Sequence, residues 1–542
     1  MRVPLISRVI VSALALAILL FMSAASARAQ SPAPSTAPDP LALASNALEQ
    51  MTRASFHDLT AAELQFVRHA PYRDLAWSST SSDPDNPLND TSKGKAWGKD
   101  RTIRADIVRW ILTDPNASKY VDPSGIGIAG ARIDGEIDLS YATVTLPITM
   151  LDCFVPDGID LSFAHIASID LRRSRTGEID GQQALVHGDV VMRLGHYDAI
   201  NFYRAEIDGD LDCSSGHFVG DDPISMVEAV IKGDALFHQD FETGGLVDFR
   251  LATVGRSLSF NQARFTGDGV NGLNAERATV GGTLYWVKIT HTPHTMLDLG
   301  SARAGALWDD AASWPAPGNL DLTGFVYGDF SGGPADADAR LEWIHRQPRS
   351  DWAQPQPYRQ LAQVLREDGA EEGATQVEIA HENAMTEYGG IPMPQKIWRL
   401  ALRATIGYGY RPLRALWWIL LFVAFGTFLF GWGYRAHLIT PTEESAYDSF
   451  CATGVPPPHY SPFSSFVYSL ENFLPVVDLH QATYWRPNPR HRPAGDKPMT
   501  AAESRSGTMP ARMLRWYLWI HILAGWTITP LLFAGLAGLL RN

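Results

Sequence analysis

The chain has 542 residues, 45% hydrophobic and 19% charged, with a formal net charge of −14 and 3 cysteines. That length exceeds what one hydrophobic core usually organises, so several segments are expected. An acidic balance argues against nucleic acid as a partner, and so few cysteines exclude a disulfide framework.

The charge is unevenly placed. From residue 396 to the end there are 14 Lys+Arg against 7 Asp+Glu, a net +7, which leaves −21 for residues 1–395. An acidic body joined to a basic, apolar end is the pattern of a membrane-attached protein.

In chain order, residues 1–29 read as a secretory signal peptide: Arg2 and Arg8, an apolar run from Val9 to Met22, then Ala27-Arg28-Ala29. Residues 30–41 are rich in Pro, Ser and Ala and predict a disordered spacer. Residues 42–120 predict a helical cap, with Thr60-Ala-Ala-Glu63 in the form of a capping box and Ile103, Ile107, Trp110 and Ile111 at helical spacing.

Residues 121–332 carry a nine-residue pattern, Ala-x-Val/Ile-x-Gly-x-apolar-x-apolar, with copies starting at Ala131, Ala184, Ala205, Ala229, Ala252 and Ala278. Apolar residues alternate within each copy, as in Ala131, Ile133, Ile137 and Leu139, which is the period of a strand with one buried face. One coil of that length cannot bury its own face, so stacked coils are required. The expected fold is mainly β, a β-solenoid of roughly eight to ten coils. Cys153, Cys213, Phe260 and Trp286 are expected to point into its core. His165, His187, His196, His217 and His238 lack metal-ligand spacing and are expected to face outward, as are Asp134, Asp138, Asp208, Asp210 and Asp212.

Residues 338–395 predict a helical hairpin, with Tyr358, Leu361, Val364 and Leu365 on one stripe. Residues 396–542 form a membrane domain. Its predicted spans, 415–434 and 516–540, contain no Lys, Arg, Asp or Glu and carry tryptophans near their ends. Between them 462–477 is apolar but too short to span, and is either re-entrant or interface-lying. The signal peptide would place the solenoid outside, although cations flank both ends of the spans, with Lys396, Arg399, Arg403, Arg411 and Arg414 on the solenoid side.

Two glycine motifs lack their usual context. Gly125-Ile-Gly127-Ile-Ala-Gly130 matches a dinucleotide fingerprint but precedes a solenoid strand where a helix is needed. Thr405-Ile-Gly-Tyr-Gly409 has the form of a potassium-channel filter but lies before the first span, and reads as a tight turn. Within the membrane domain, Glu471, Asp478 and His480 sit in or beside an apolar run where charge is costly, and His521 lies inside the second span. These four are the candidate functional residues. His521 would either pair with Glu471 or Asp478 or lie at headgroup depth.

The stretches LTAAELQFVRHA, GARIDGEIDLSYATV, PYRQLAQVLREDG, GYGYRPLRALWW and YSLENFLPVVDL together resemble an uncharacterised family of bacterial membrane proteins with pentapeptide-like solenoid repeats, some of which carry the label membrane-associated oxidoreductase. The resemblance implies a solenoid on a membrane anchor and brings no catalytic residues with it. The expected function is a non-enzymatic, inner-membrane-anchored scaffold whose periplasmic solenoid offers an acidic surface to an envelope protein or to a second copy. A channel-like or sensor protein built on 415–540, and an oxidoreductase, are the alternatives. No cofactor, metal or catalytic residue is expected, and the partners are protein and lipid bilayer, with no nucleic acid.

Overall fold

A computed structural model describes residues 39–220, 223–488 and 509–538. The expected signal peptide 1–29, and the spacer 30–41 up to residue 38, lie outside the described residues. The architecture is a parallel β-solenoid of about nine turns with helices at both ends. The chain divides into two units, Met1–Asp212 and Cys213–Asn542.

In the first unit like residues stack on like. Ile137, Ile159, Ile179 and Ile200 form one parallel column. Val144, Ile166, Val186 and Ile207 form a second, and Ile148, Ile169, Val190 and Leu211 a third. All are buried, and each such side chain contributes about 1.5–3 kcal/mol. Along the chain the inward positions recur five residues apart, as in Leu161, Ile166, Leu171 and Thr176.

Each coil turns on one repeated corner. An Asp or Asn side chain accepts the amide two residues on, Asp138 from Ser140 at 3.0 Å, Asp160 from Ser162 at 2.8 Å, Asp180 from Gln182 at 3.1 Å and Asn201 from Tyr203 at 3.2 Å. The next residue is left-handed: Tyr141, Phe163, Gln183 and Arg204 have φ of 58, 59, 54 and 55°. That conformation costs a non-glycine residue about 1–2 kcal/mol. It aims the residue's N–H at the adjacent coil, where Tyr141 N donates to Ser162 O (2.9 Å) and Phe163 N to Gln182 O (2.9 Å). A small alanine follows, and Ala164, Ala184 and Ala205 are buried; this is why alanine opens the sequence repeat. Asp138 therefore serves the turn as well as the outer face.

The cap contains helices α1 (Pro40–Ser55), α2 (Ala61–His69) and α3 (Ala105–Thr113). The Thr60–Glu63 capping box is present. Glu63 also accepts Arg104 N (3.1 Å) and Nε (2.7 Å). Burial alone would raise its carboxyl, but the Arg104 guanidinium and the Thr60 and Arg104 amides outweigh burial and hold it below the usual range. The cap is not only helical. Ala76–Trp77 pairs with Ile126–Ala129, and Thr102–Arg104 with Arg132–Asp134, so the cap donates strands to the ladder edges and leaves fewer of them open.

In the second unit the same corner recurs at Asp248, Asn274, Asp298 and Asp321, which accept from Arg250, Glu276, Gly300 and Thr323. The core becomes aromatic: Phe237 stacks on Phe260 with centroids 5.2 Å apart, and Phe265 on Trp286 at 5.4 Å. Cys153 and Phe202 in the first unit, and Cys213, Phe260 and Trp286 in the second, are all buried. Helix α4 (Ala337–Ile344) closes the last coils, and the hairpin is α5 (Pro355–Glu367) with α6 (Glu371–Tyr388). Helix α7 (Met393–Ile406) then leads to a turn in which Gly407, Tyr408 and Gly409 all have positive φ.

Among the described residues two helices are long and apolar enough to cross a membrane, α8 (Arg414–Arg435) and a later helix at Met509–Leu536. Between them lie α9 (Glu444–Thr453), α10 (Ser465–Phe473) and an antiparallel strand pair, Ile439–Pro441 with Trp485–Pro487. Helix α11 (Met509–Leu536) begins before the predicted 516 and ends before 540. Its first turns carry Arg512 and Arg515, and Gly538, with φ of 72°, follows its end. The predicted segment 462–477 shortens to nine residues, because Ser464 caps its start and Leu474 leaves the helix ahead of Pro475.

Candidate functional site

Three helices of the second unit meet closely: α8, α10 and α11. Glycines set the approach. A Cβ on Gly525 would lie 1.7 Å from the Phe473 carbonyl oxygen, and one on Gly426 would lie 2.3 Å from Ser469 Oγ and 2.8 Å from His521 Cε1. Small residues at such positions are what let helices pack in the absence of a hydrophobic driving force.

His521 lies at this crossing and is fully buried. Its Nε2 is 2.9 Å from the Ser469 carbonyl oxygen, which only accepts, so Nε2 carries the proton and donates it. Nδ1 then accepts from the Tyr517 hydroxyl at 3.1 Å. Ser469 Oγ donates to Val423 O at 2.9 Å, tying α10 to α8. Phe422, Phe430 and Phe473 pack around the ring, with centroids 5.2–6.3 Å away. With Nε2 on α10 and Nδ1 on Tyr517, the imidazole is a polar clamp that ties α11 to α10.

The other three predicted residues are not brought to this point. Glu471 accepts the Gln481 amide (2.7 Å) and the Ala482 amide (3.2 Å), capping the short helix Gln481–Tyr484. Asp478 and His480 are exposed and pair with each other at 3.1 Å. His521 thus pairs with Ser469 and Tyr517 in place of Glu471 or Asp478. Sequence reasoning missed Ser469, Tyr517, Gly426 and Gly525. The small residues inside apolar helices were the available signal.

A polar cleft in the first unit, about 410 Å³, is lined by residues that include Asp85, Asp152, Arg173 and His196. Its cation is already used: Arg173 Nε donates to Asp152 (2.8 Å), Nη1 contacts Asp85 (3.2 Å), and Nη2 bonds the Pro84 carbonyl. Burial raises the Asp152 carboxyl, with Arg173 opposing it. The arrangement pins the 84–90 loop to the coils. Burial likewise pushes the Cys153 thiol up to about 12, which leaves it protonated and unreactive. Among the described residues no group of three or more His, Cys, Asp or Glu is placed to hold a metal ion. Gly125–Gly130 contains the strand Ile126–Ala129, and the strand Arg132–Asp134 follows it, so no helix N-terminus faces a pyrophosphate there.

A different feature repeats on the outside. Asp138, Asp160, Asp180 and Asn201 stand in register in the first unit, and Asp248, Asn274, Asp298 and Asp321 do so in the second. Strand spacing puts neighbours about 4.8 Å apart. Asp160, Asp180, Asp298 and Asp321 have no cationic partner among the described residues. Burial raises the Asp298 carboxyl, and the neighbouring Asp321 and Glu276 carboxylates add to it against the Gly300 amide.

Comparison with family models, curated proteins and solved structures gives no match.

Proposed function

We propose that this chain is a non-enzymatic, membrane-anchored solenoid scaffold in which each unit's column of corner carboxylates docks a basic surface of an envelope protein or of a second copy. The acidic column carries this reading. A turn needs only one side-chain oxygen, which Asn supplies as well as Asp, as Asn201 and Asn274 do. Asp160, Asp180, Asp298 and Asp321 therefore carry charge that the fold does not require. Stacked repeats with such outward regularity are used for binding. Anchor fits the membrane domain better than channel, because α10 is held between two helices and the ring nitrogens of His521 are both satisfied. The five-residue spacing of inward positions supports the resemblance to pentapeptide-like solenoid proteins. The signal-peptide pattern favours an inner-membrane location with the solenoid in the periplasm.

The test is in-membrane crosslinking of the full chain followed by mass spectrometry. The proposal expects crosslinks from lysines of one partner, or of a second copy, to the corner carboxylates. Crosslinks scattered over the whole surface, with none enriched at the column, would contradict it.

A further inference from the structure

We infer that α7, Met393–Ile406, lies in the plane of the bilayer surface and binds anionic lipid headgroups. The inference rests on the reading of α8 and α11 as membrane-crossing. One side of α7 packs on protein, through buried Ile406 and through Leu402. Arg399 donates to Thr386 Oγ1 at 2.9 Å and pairs with Glu382. The opposite side has no cover from the described residues: Met393, Ile397 and Leu400 recur at i, i+4 and i+7, with Met393 68% and Ile397 62% exposed. That stripe would be unfavourable in water.

Two observations identify what covers it. The first is continuity. The turn at Gly407–Gly409 joins α7 to α8, where Leu413 just before the helix and Leu416, Trp417 and Leu420 within it are exposed apolar residues of the membrane-facing surface. The second is charge. Five cations lie between 396 and 414, of which Arg399 and Arg411 are bound to Glu382 and Glu372. Lys396, Arg403 and Arg414 have no carboxylate partner among the described residues. Lys396 and Arg403 flank the apolar stripe on one side of the helix, as in helices that rest on anionic membranes. Two glutamates thus fix two arginines inward, and three cations remain for headgroups.

The experiment uses the full chain with Cys451→Ser, since Cys153 and Cys213 are buried, carrying one spin-labelled cysteine at a time at Ile397, Leu400, Leu420 or Asp368. Each is placed in nanodiscs with or without phosphatidylglycerol. Labels at Ile397 and Leu400 should be reached by oxygen in preference to a water-soluble nickel chelate, as at Leu420, with the reverse at Asp368. Lys396→Gln, Arg403→Gln and Arg414→Gln should each lower phosphatidylglycerol retention about fivefold. Leu420 in lipid with Ile397 in water would overturn the inference and leave the spans standing. Leu420 in water would overturn the membrane reading itself. Coupling between Ile397 labels of two chains would assign the stripe to a second copy, and retention unchanged in all three variants would remove the anionic-lipid role; either result contradicts the inference.

Discussion

Asp309 and Arg340 form a fully buried bidentate ion pair, 2.7 and 2.8 Å, between the end of the strand Arg303–Asp309 and helix α4. The Trp314 indole donates to the same carboxylate at 2.7 Å, Arg340 Nε donates to Pro334 O at 2.6 Å, and the guanidinium lies 3.8 Å from the Phe330 ring centroid. All three guanidinium nitrogens and both carboxylate oxygens are engaged where the last coils meet the helical closure. Removing one partner should cost about 3–5 kcal/mol, because the other charge stays buried. Arg340→Ala should therefore lower the denaturation midpoint strongly and increase hydrogen exchange in 326–344. Asp309→Leu combined with Arg340→Met should be milder than either single change.

At the corners, Asp180→Asn should leave stability nearly unchanged, since an amide oxygen can accept the Gln182 N–H. Asp180→Ala should cost about 0.5–1.5 kcal/mol for the lost bond. Leu251, left-handed at φ 60° and exposed, should respond in the opposite sense: Leu251→Asn should gain up to about 1 kcal/mol by relieving that conformation. Paired thermal melts of the purified chain measure all three.

The coil pattern was legible because alternation, the corner Asp and the buried Ala each repeat in one dimension, so every coil restates the others. The membrane clamp was not. His521, Ser469 and Tyr517 come from two helices separated by a long connection, and their meeting depends on Gly426 and Gly525, whose role appears only when three helices are placed together. Asp478 and His480 drew attention as charges beside an apolar run, yet that run ends as a helix at Phe473 and leaves them in solvent. The amphipathic face of α7 was obscured by the five cations between 396 and 414, which read as one cluster in the sequence although Glu382 binds Arg399 and Glu372 binds Arg411.

Gly525→Ala should destabilise the three-helix packing by about 1–3 kcal/mol or more, because the new methyl meets the Phe473 carbonyl. His521→Leu should cost about 1 kcal/mol, the scale of interhelical hydrogen bonds in lipid. Tryptophan fluorescence during unfolding in detergent gives both values. Glu471→Gln, which keeps an acceptor for the 481–482 amides, should lie close to the parent.

His381 should make the stability of the hairpin depend on pH. Burial, with Arg359 and Arg399 nearby, pushes its imidazole down to about 4 from an ordinary 6.5. The unfolded chain thus takes up the proton first. Stability should be full above about pH 6.5 and fall as pH drops from there towards 4. His381→Phe should flatten this part of the profile; an unchanged slope would assign it to other groups.

The most direct measurement of the scaffold claim compares the parent with the fourfold variant Asp160→Asn, Asp180→Asn, Asp298→Asn and Asp321→Asn in the same crosslinking experiment, with melting temperatures recorded alongside. The account predicts an unchanged or slightly raised melting temperature, since turns persist and like-charge repulsion falls, together with loss of the enriched partner crosslinks. A variant that folds equally well and keeps its partner at the parental level would contradict it.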